Sequence, residues 1–227
     1  MNKNGSSIDL VAKHEGLLNF SAMFEKYFCI DWIIDLTGMK PSDILTAFEE
    51  LVEARYLHRK QPGIYYLSKA TRNKQLKQLS NEKQIICHHR IIKSLINEKG
   101  RSDDKAILLH FHLLKISNDI EGCRWLKIAG DEFLKQHKTE QSLKCYLKII
   151  EDLSAYKFTE ESATIFIETA LQYGKISMAR QETSKVLSIL NNALQLAQEY
   201  KYYRWDSASP LSQLLGAAGN DESGGNL

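Results

Sequence analysis

Proline is scarce in this chain: Pro41, Pro62 and Pro210 are the only three in 227 residues. The interval between the second and third is therefore free of the residue that costs ~3 kcal/mol inside a helix. From residue 64 to 209 glycine is nearly as rare, with only Gly100, Gly122, Gly130 and Gly174. Long apolar runs are missing too. The best stretch, Ala106 to Leu114, is interrupted by His110 and His112, far short of the ~18 apolar residues a membrane span needs. Residues 1–13 have no apolar core of the kind a secretory signal carries. The four cysteines, Cys29, Cys87, Cys123 and Cys145, form no CxxC pair, so reduced, packed thiols and a cytoplasmic location are expected. Neither sign of charge dominates: 30 basic side chains oppose 28 acidic ones, leaving +2, which excludes a general polycation. The balance of 43% hydrophobic and 26% charged residues is that of a soluble globular chain. At ~150 residues per domain, the length allows one to two domains.

Helical periodicity fills the proline-free interval. Leu143, Tyr146, Leu147 and Ile150 recur at threes and fours, as do Val186, Leu187, Leu190, Ala193 and Leu194. The first seventy residues read differently. An amphipathic segment at 17–28 is followed by a second at 30–36 that closes on Gly38, a C-cap. Ser42 is the expected N-cap of a third helix, whose apolar stripe is Ile44, Leu45, Phe48, Leu51 and Val52 and which runs to about Arg55. Two short aliphatic and aromatic runs then flank Pro62-Gly63, a hairpin signal. Three helices followed by a small hairpin is the order of a winged helix. The expected class is mainly α: an N-terminal winged-helix-like domain with a small β-hairpin, then a short stack of α-hairpins.

The segment Leu126-Lys127-Ile128-Ala129-Gly130-Asp131-Glu132-Phe133, with Ser142 and Tyr146 beyond it, resembles a tetratricopeptide repeat. That repeat places a small residue where its two helices cross, an aromatic three residues on, and a second small residue about twelve after the first. A second copy aligns on Gly174, with Val186, Leu190 and Ala193 at the matching offsets and Ser177 in place of the aromatic. The two glycines are 44 residues apart, longer than the usual ~34, which implies extended helices or an irregular turn. Generic α-hairpins with fortuitously placed glycines are the plainer alternative. The expected layout is an extension at 1–16, the winged-helix-like domain at 17–68, linking helices at 69–118, tetratricopeptide-like repeats at 119–205 and a flexible tail at 206–227.

Charge is unevenly spread. Residues 1–57 carry −4, residues 58–101 carry +9 and the remainder −3. The basic block allows phosphate binding, to nucleic acid or nucleotide, with Arg59, Lys60, Arg72, Lys74 and Lys77 as the candidates for nucleic acid. A solvated helix face against an acidic neighbour is the simpler explanation. The third N-terminal helix opposes duplex recognition, because Asp43, Glu49, Glu50 and Glu53 face only Arg55 in charge, whereas a major-groove helix presents basic and amide side chains.

Catalytic signatures are missing. Gly174-Lys175 is the sole Gly-Lys pair and Thr169 stands five residues before it, so there is no phosphate-binding loop. His88-His89 and His110-Phe111-His112 have spacings that place imidazoles on different helix faces. Cys87 beside His88 is adjacency in sequence, not the geometry of an activated thiol. No metal, cofactor or catalytic residue is expected.

The order of segments resembles part of the STAND-type signalling ATPases and related bacterial multidomain regulators, including the maltose-regulon activator class. The resembling pieces are residues 33–39, residues 42–57 with their EELVEARYL close, His89-Arg90-Ile91-Ile92, residues 109–114 and residues 125–133. In that family a P-loop ATPase precedes a winged helix and tetratricopeptide helices. Here the ATPase core is absent, and no nucleotide-contacting residue carries over. The resemblance implies a non-catalytic regulatory module that binds a protein partner or neighbouring domain, such as a P-loop ATPase or an output domain. First helices of such repeats line the inner surface, which nominates Lys127, Asp131, Glu168, Gln172 and Lys175. The alternative is a DNA-binding regulator using the basic wing and linking helix.

Overall fold

In the computed structural model the structure describes residues 10–98, 100–178 and 183–201. Most of the expected 1–16 extension and all of the expected tail at 206–227 lie outside these residues. The described residues are mainly helical, with one small antiparallel sheet of three strands. The chain divides into two compact units, one ending at Gly100 and the other starting at Arg101. The stretch read as linking helices is thus shared between them.

The first unit begins with α1 (Glu15–Met23), the two-residue strand β1 (Phe28–Cys29), α2 (Ile30–Thr37) and α3 (Pro41–Glu53). Gly38 closes α2 at φ 66°, the left-handed value that glycine adopts without cost. The start of α3 corrects one expectation. Pro41 occupies its first turn, so the N-cap falls on Lys40 and Ser42 lies inside the helix. Proline's fixed φ and missing N–H suit that position, and they start the helix before the serine can cap it. At the other end Arg55 adopts φ 60°. Tyr56 N–H donates to the Leu51 carbonyl at 2.9 Å, a Schellman closure with arginine where glycine is usual.

Strands β2 (Leu57–Gln61) and β3 (Ile64–Leu67) form the hairpin around Pro62-Gly63, with Gly63 at φ 76°. β3 is central: it pairs with β2 on one side and with β1 on the other. Phe28, Leu57, Tyr65 and Leu67 are buried beneath the sheet. Phe48 of α3 meets Phe28 and Tyr65 edge-on, with centroids 6.2 and 4.8 Å away, a preferred aromatic geometry.

Two further helices complete this unit, α4 (Lys69–Gln78) and α5 (Asn81–Asn97). Ser68 and Ser80 cap them through the N–H groups of Thr71 and Lys83. α4 has little apolar surface and is held to α1 by polar ties. Arg72 Nε donates to the Ala22 carbonyl at 2.9 Å, and Gln75 Nε2 donates to Asn19 at 2.7 Å. α5 buries Ile91, Ile92 and Leu95, and its Arg90 guanidinium reaches the Leu36 carbonyl at the end of α2.

The second unit is a run of helices in which each packs on the next: α6 (Ser102–Leu113), α7 (Ile120–Lys135), α8 (Thr139–Ser154), α9 (Glu160–Met178) and α10 (Thr183–Glu199). α7 and α9 also touch. Asp119 caps α7 by accepting from Gly122 N–H at 2.9 Å. Its C-terminus closes on His137, at φ 58°, where Lys138 N–H reaches the Phe133 carbonyl at 2.8 Å. Thr159 and Ser162 bond reciprocally at the start of α9, as a capping box does.

Both helix crossings rest on glycine. A Cβ on Gly130 would lie 2.6 Å from the ring of Tyr146, and one on Gly174 would lie 3.0 Å from Leu190. In each case the partner stands 16 residues after the glycine. The 44-residue spacing has a simple origin. α9 starts 40 residues after α7, and its glycine sits four residues, about one turn, deeper into the helix.

Candidate functional site

α7 and α9, the first helices of the two hairpins, lie side by side and each carries a polar stripe. On α7 the stripe is Arg124, Lys127 and Asp131, spaced by three and four. On α9 it is Glu161, Glu168, Gln172 and Lys175, spaced by seven, four and three. These intervals keep side chains on one helix face. The stripes are cross-linked. Lys127 Nζ stands 3.2 Å from Asp131 Oδ2 and 3.5 Å from Glu168 Oε2, and Arg124 pairs with Glu161. The hydroxyl of Tyr146, rising from the buried interface of α7 and α8, donates to Asp131 Oδ1 at 2.6 Å. Burial and then the bond to Asp131 push the Tyr146 phenol well above its usual range, so it remains a donor.

Of the five residues nominated from sequence, Lys127, Asp131 and Glu168 are brought into one cluster. Gln172 and Lys175 continue along α9, the first half-buried and the second exposed. Arg124, Glu161 and Tyr146 were not anticipated. Arg124 and Glu161 could have been read as the residues three before Lys127 and seven before Glu168. Tyr146 was recognised only for its ring, and its hydroxyl contact depends on how the two helices cross.

The basic set divides differently. Arg59 and Lys60 are exposed on β2 and lean over tyrosine rings, Arg59 toward Tyr65 and Lys60 toward Tyr27. Lys74 and Lys77 are exposed on α4. Arg72 faces the other way: it is half-buried against α1 and engaged with a backbone carbonyl. Burial lowers its pKa from the free value, as desolvation does for a cation. The five therefore do not present one continuous cationic surface.

Comparison of the chain with protein-family models, with curated proteins and with solved structures gave no match in any of the three.

The thiols are set against nucleophilic chemistry. Burial raises Cys123 and Cys145 to about 12, with the Asp152 carboxylate adding to the effect at Cys123. Burial also raises Cys29 and Cys87. Among the described residues no group of three or more His, Cys, Asp or Glu side chains could hold a metal ion. An open hollow of about 400 Å³ lies at the turn between α4 and α5, lined by Asn73, Leu76, Lys77, Leu79 and Gln84. Gln84 Nε2 there donates to the Leu76 and Leu79 carbonyls at 3.0 and 3.1 Å, which makes its role the closure of that turn.

Proposed function

We propose that this chain is a non-catalytic interaction module of a bacterial signal-transduction or transcription regulator, and that it binds a protein partner through the paired stripes of α7 and α9. The observation that carries the reading is the cluster of Lys127, Asp131 and Glu168, joined by the Arg124–Glu161 pair, on adjacent first helices. Arg124–Glu161 is exposed and the Lys127 pairs are half-exposed, and ion pairs in contact with water contribute only ~0–1 kcal/mol to folding. Their charges can therefore be exchanged for those of a partner at little cost to the fold. The repeated glycine crossing supports a tetratricopeptide-like stack, in which each hairpin covers its apolar face with the next. In the first unit the order helix, strand, two helices and hairpin, with β3 central, supports a winged-helix-like domain. Its third helix is acidic and suits a protein contact better than a DNA groove.

The test is affinity capture by the full chain from bacterial lysate, followed by charge reversal. Lys127→Glu should abolish capture of a specific protein, and Glu161→Lys should weaken it, while the helical content of both variants stays unchanged. Capture that is indifferent to both reversals contradicts the assignment of the face.

A further inference from the structure

The small sheet has a second face. Side chains alternate along a strand, so with Phe28, Leu57, Tyr65 and Leu67 buried beneath, the neighbouring positions Tyr27, His58 and Tyr66 point away from the core. Register brings them into a row. His58 lies opposite Tyr66, and Tyr65 lies opposite Phe28, which places Tyr27 on the far side of Tyr66. The rings touch across the whole width of the sheet. His58 stacks on Tyr66 at 5.0 Å and 23°, and Tyr66 meets Tyr27 edge-on at 5.7 Å and 87°. Tyr27 is 46% exposed. The Lys60 ammonium rests 3.7 Å from the centre of its ring, whereas Arg59, opposite Tyr65, leans to the other face.

Three features of this surface select its ligand. The rings offer π-faces, which suit a flat, stackable group. Lys60 offers charge to an anion, and neither β2 nor β3 contains a carboxylate. The helix placed as the recognition helix of a winged-helix-like domain, α3, is acidic, with Asp43, Glu49, Glu50 and Glu53, and does not suit a duplex groove. The geometry points to a binding site for single-stranded nucleic acid on the outer face of the sheet, with unpaired bases stacked on Tyr27 and Tyr66 and a phosphate held by Lys60. Stacking platforms flanked by cations bind single strands with little sequence preference. Lys60 occupies the Tyr27 face in the free protein, and it would swing to a phosphate as a base takes its place. The inference is independent of the α7–α9 face, since none of its residues belongs to that site.

Fluorescence anisotropy of the full chain with a labelled thymidine strand of about 12 nucleotides tests it, alongside an abasic strand of equal length and charge and the corresponding duplex. The thymidine strand should bind most tightly. Tyr27→Ala, at an exposed position, should weaken it about tenfold, the loss of one stacked base, whereas Tyr27→Phe retains binding. Lys60→Gln should flatten the salt dependence by about one phosphate. Lys127→Glu should change nothing. Absence of binding at low salt, equal affinity for the abasic strand, preference for the duplex, indifference to Tyr27→Ala, or equal competition by a polyglutamate peptide would each overturn the proposal.

Discussion

At Gly130 the added methyl of an alanine would meet the Tyr146 ring at 2.6 and 3.0 Å. That ring is fully buried and its hydroxyl is fixed to Asp131, so it cannot swing aside. Gly130→Ala should therefore destabilise the protein by about 1–3 kcal/mol, as overpacking does. Gly16 is the control, since it lies in α1 with nothing within 4 Å of its would-be Cβ. Gly16→Ala should stabilise by up to about 1 kcal/mol through helix propensity. Urea midpoints of the two variants should move in opposite directions. His137, at φ 58°, offers a third comparison. His137→Gly should raise stability by about 1 kcal/mol, because an L side chain is strained in the left-handed region. The thiols give a chemical readout. With Cys123 and Cys145 raised to about 12, each carries about a thousandfold less thiolate at pH 8 than an ordinary cysteine. A thiol reagent should titrate Cys29 and Cys87 in the native protein and reach the other two only after denaturation.

At the scale of elements, the legible parts were those whose cause is local. The Pro62-Gly63 turn, the Gly38 cap and the helical period of α8 and α10 all depend on residues near in sequence, and each could be read there. The strand β1 could not. Its two residues acquire strand character only by pairing with Tyr65 and Ile64, some 35 positions away. α4 has a weak apolar pattern because it is fastened by Arg72 and Gln75 rather than by packing. Arg72, named for phosphate only in the alternative reading, donates through Nε to the Ala22 carbonyl, a contact that its sequence position does not reveal. The candidate face shows the same division. Its positions on α7 and α9 follow from helical spacing, but the links from Lys127 to Glu168 and from Tyr146 to Asp131 depend on how the helices cross. A buried polar tie, equally invisible in sequence, holds the turn before α7: Asp152 accepts from Asn118 Nδ2 at 2.6 Å and from Lys148 at 2.8 Å. Asp152→Ala should cost about 1–3 kcal/mol, because it removes the buried acceptor of the Asn118 backbone N–H and of the Lys148 ammonium, while Asn118 Nδ2 keeps the Leu113 carbonyl. Thermal denaturation followed by circular dichroism measures that loss.

The whole molecule is two units with different surfaces. The first presents an acidic helix, a basic hairpin and an outward row of aromatic rings. The second presents parallel polar stripes on α7 and α9, built on hairpins whose glycines permit close crossing. Acid should loosen the first unit in one identifiable way. Bonds from Lys13 and His14 hold the Glu50 carboxyl below its usual range. A depressed carboxyl stabilises the fold above its unfolded pKa, and that contribution is lost as pH falls through the lower folded value. Glu50→Gln should remove this part of the acid-side decline, leaving a flatter stability profile below about pH 4.5. For the second unit the central claim is that the α7–α9 stripes meet another protein. Site-specific photocrosslinking in living bacteria tests it most directly. A crosslinker at Lys175, on the α9 stripe, should give a discrete higher-mass adduct, and one at Lys144, exposed on α8, should give none. Adducts from Lys144 with none from Lys175 would contradict the account.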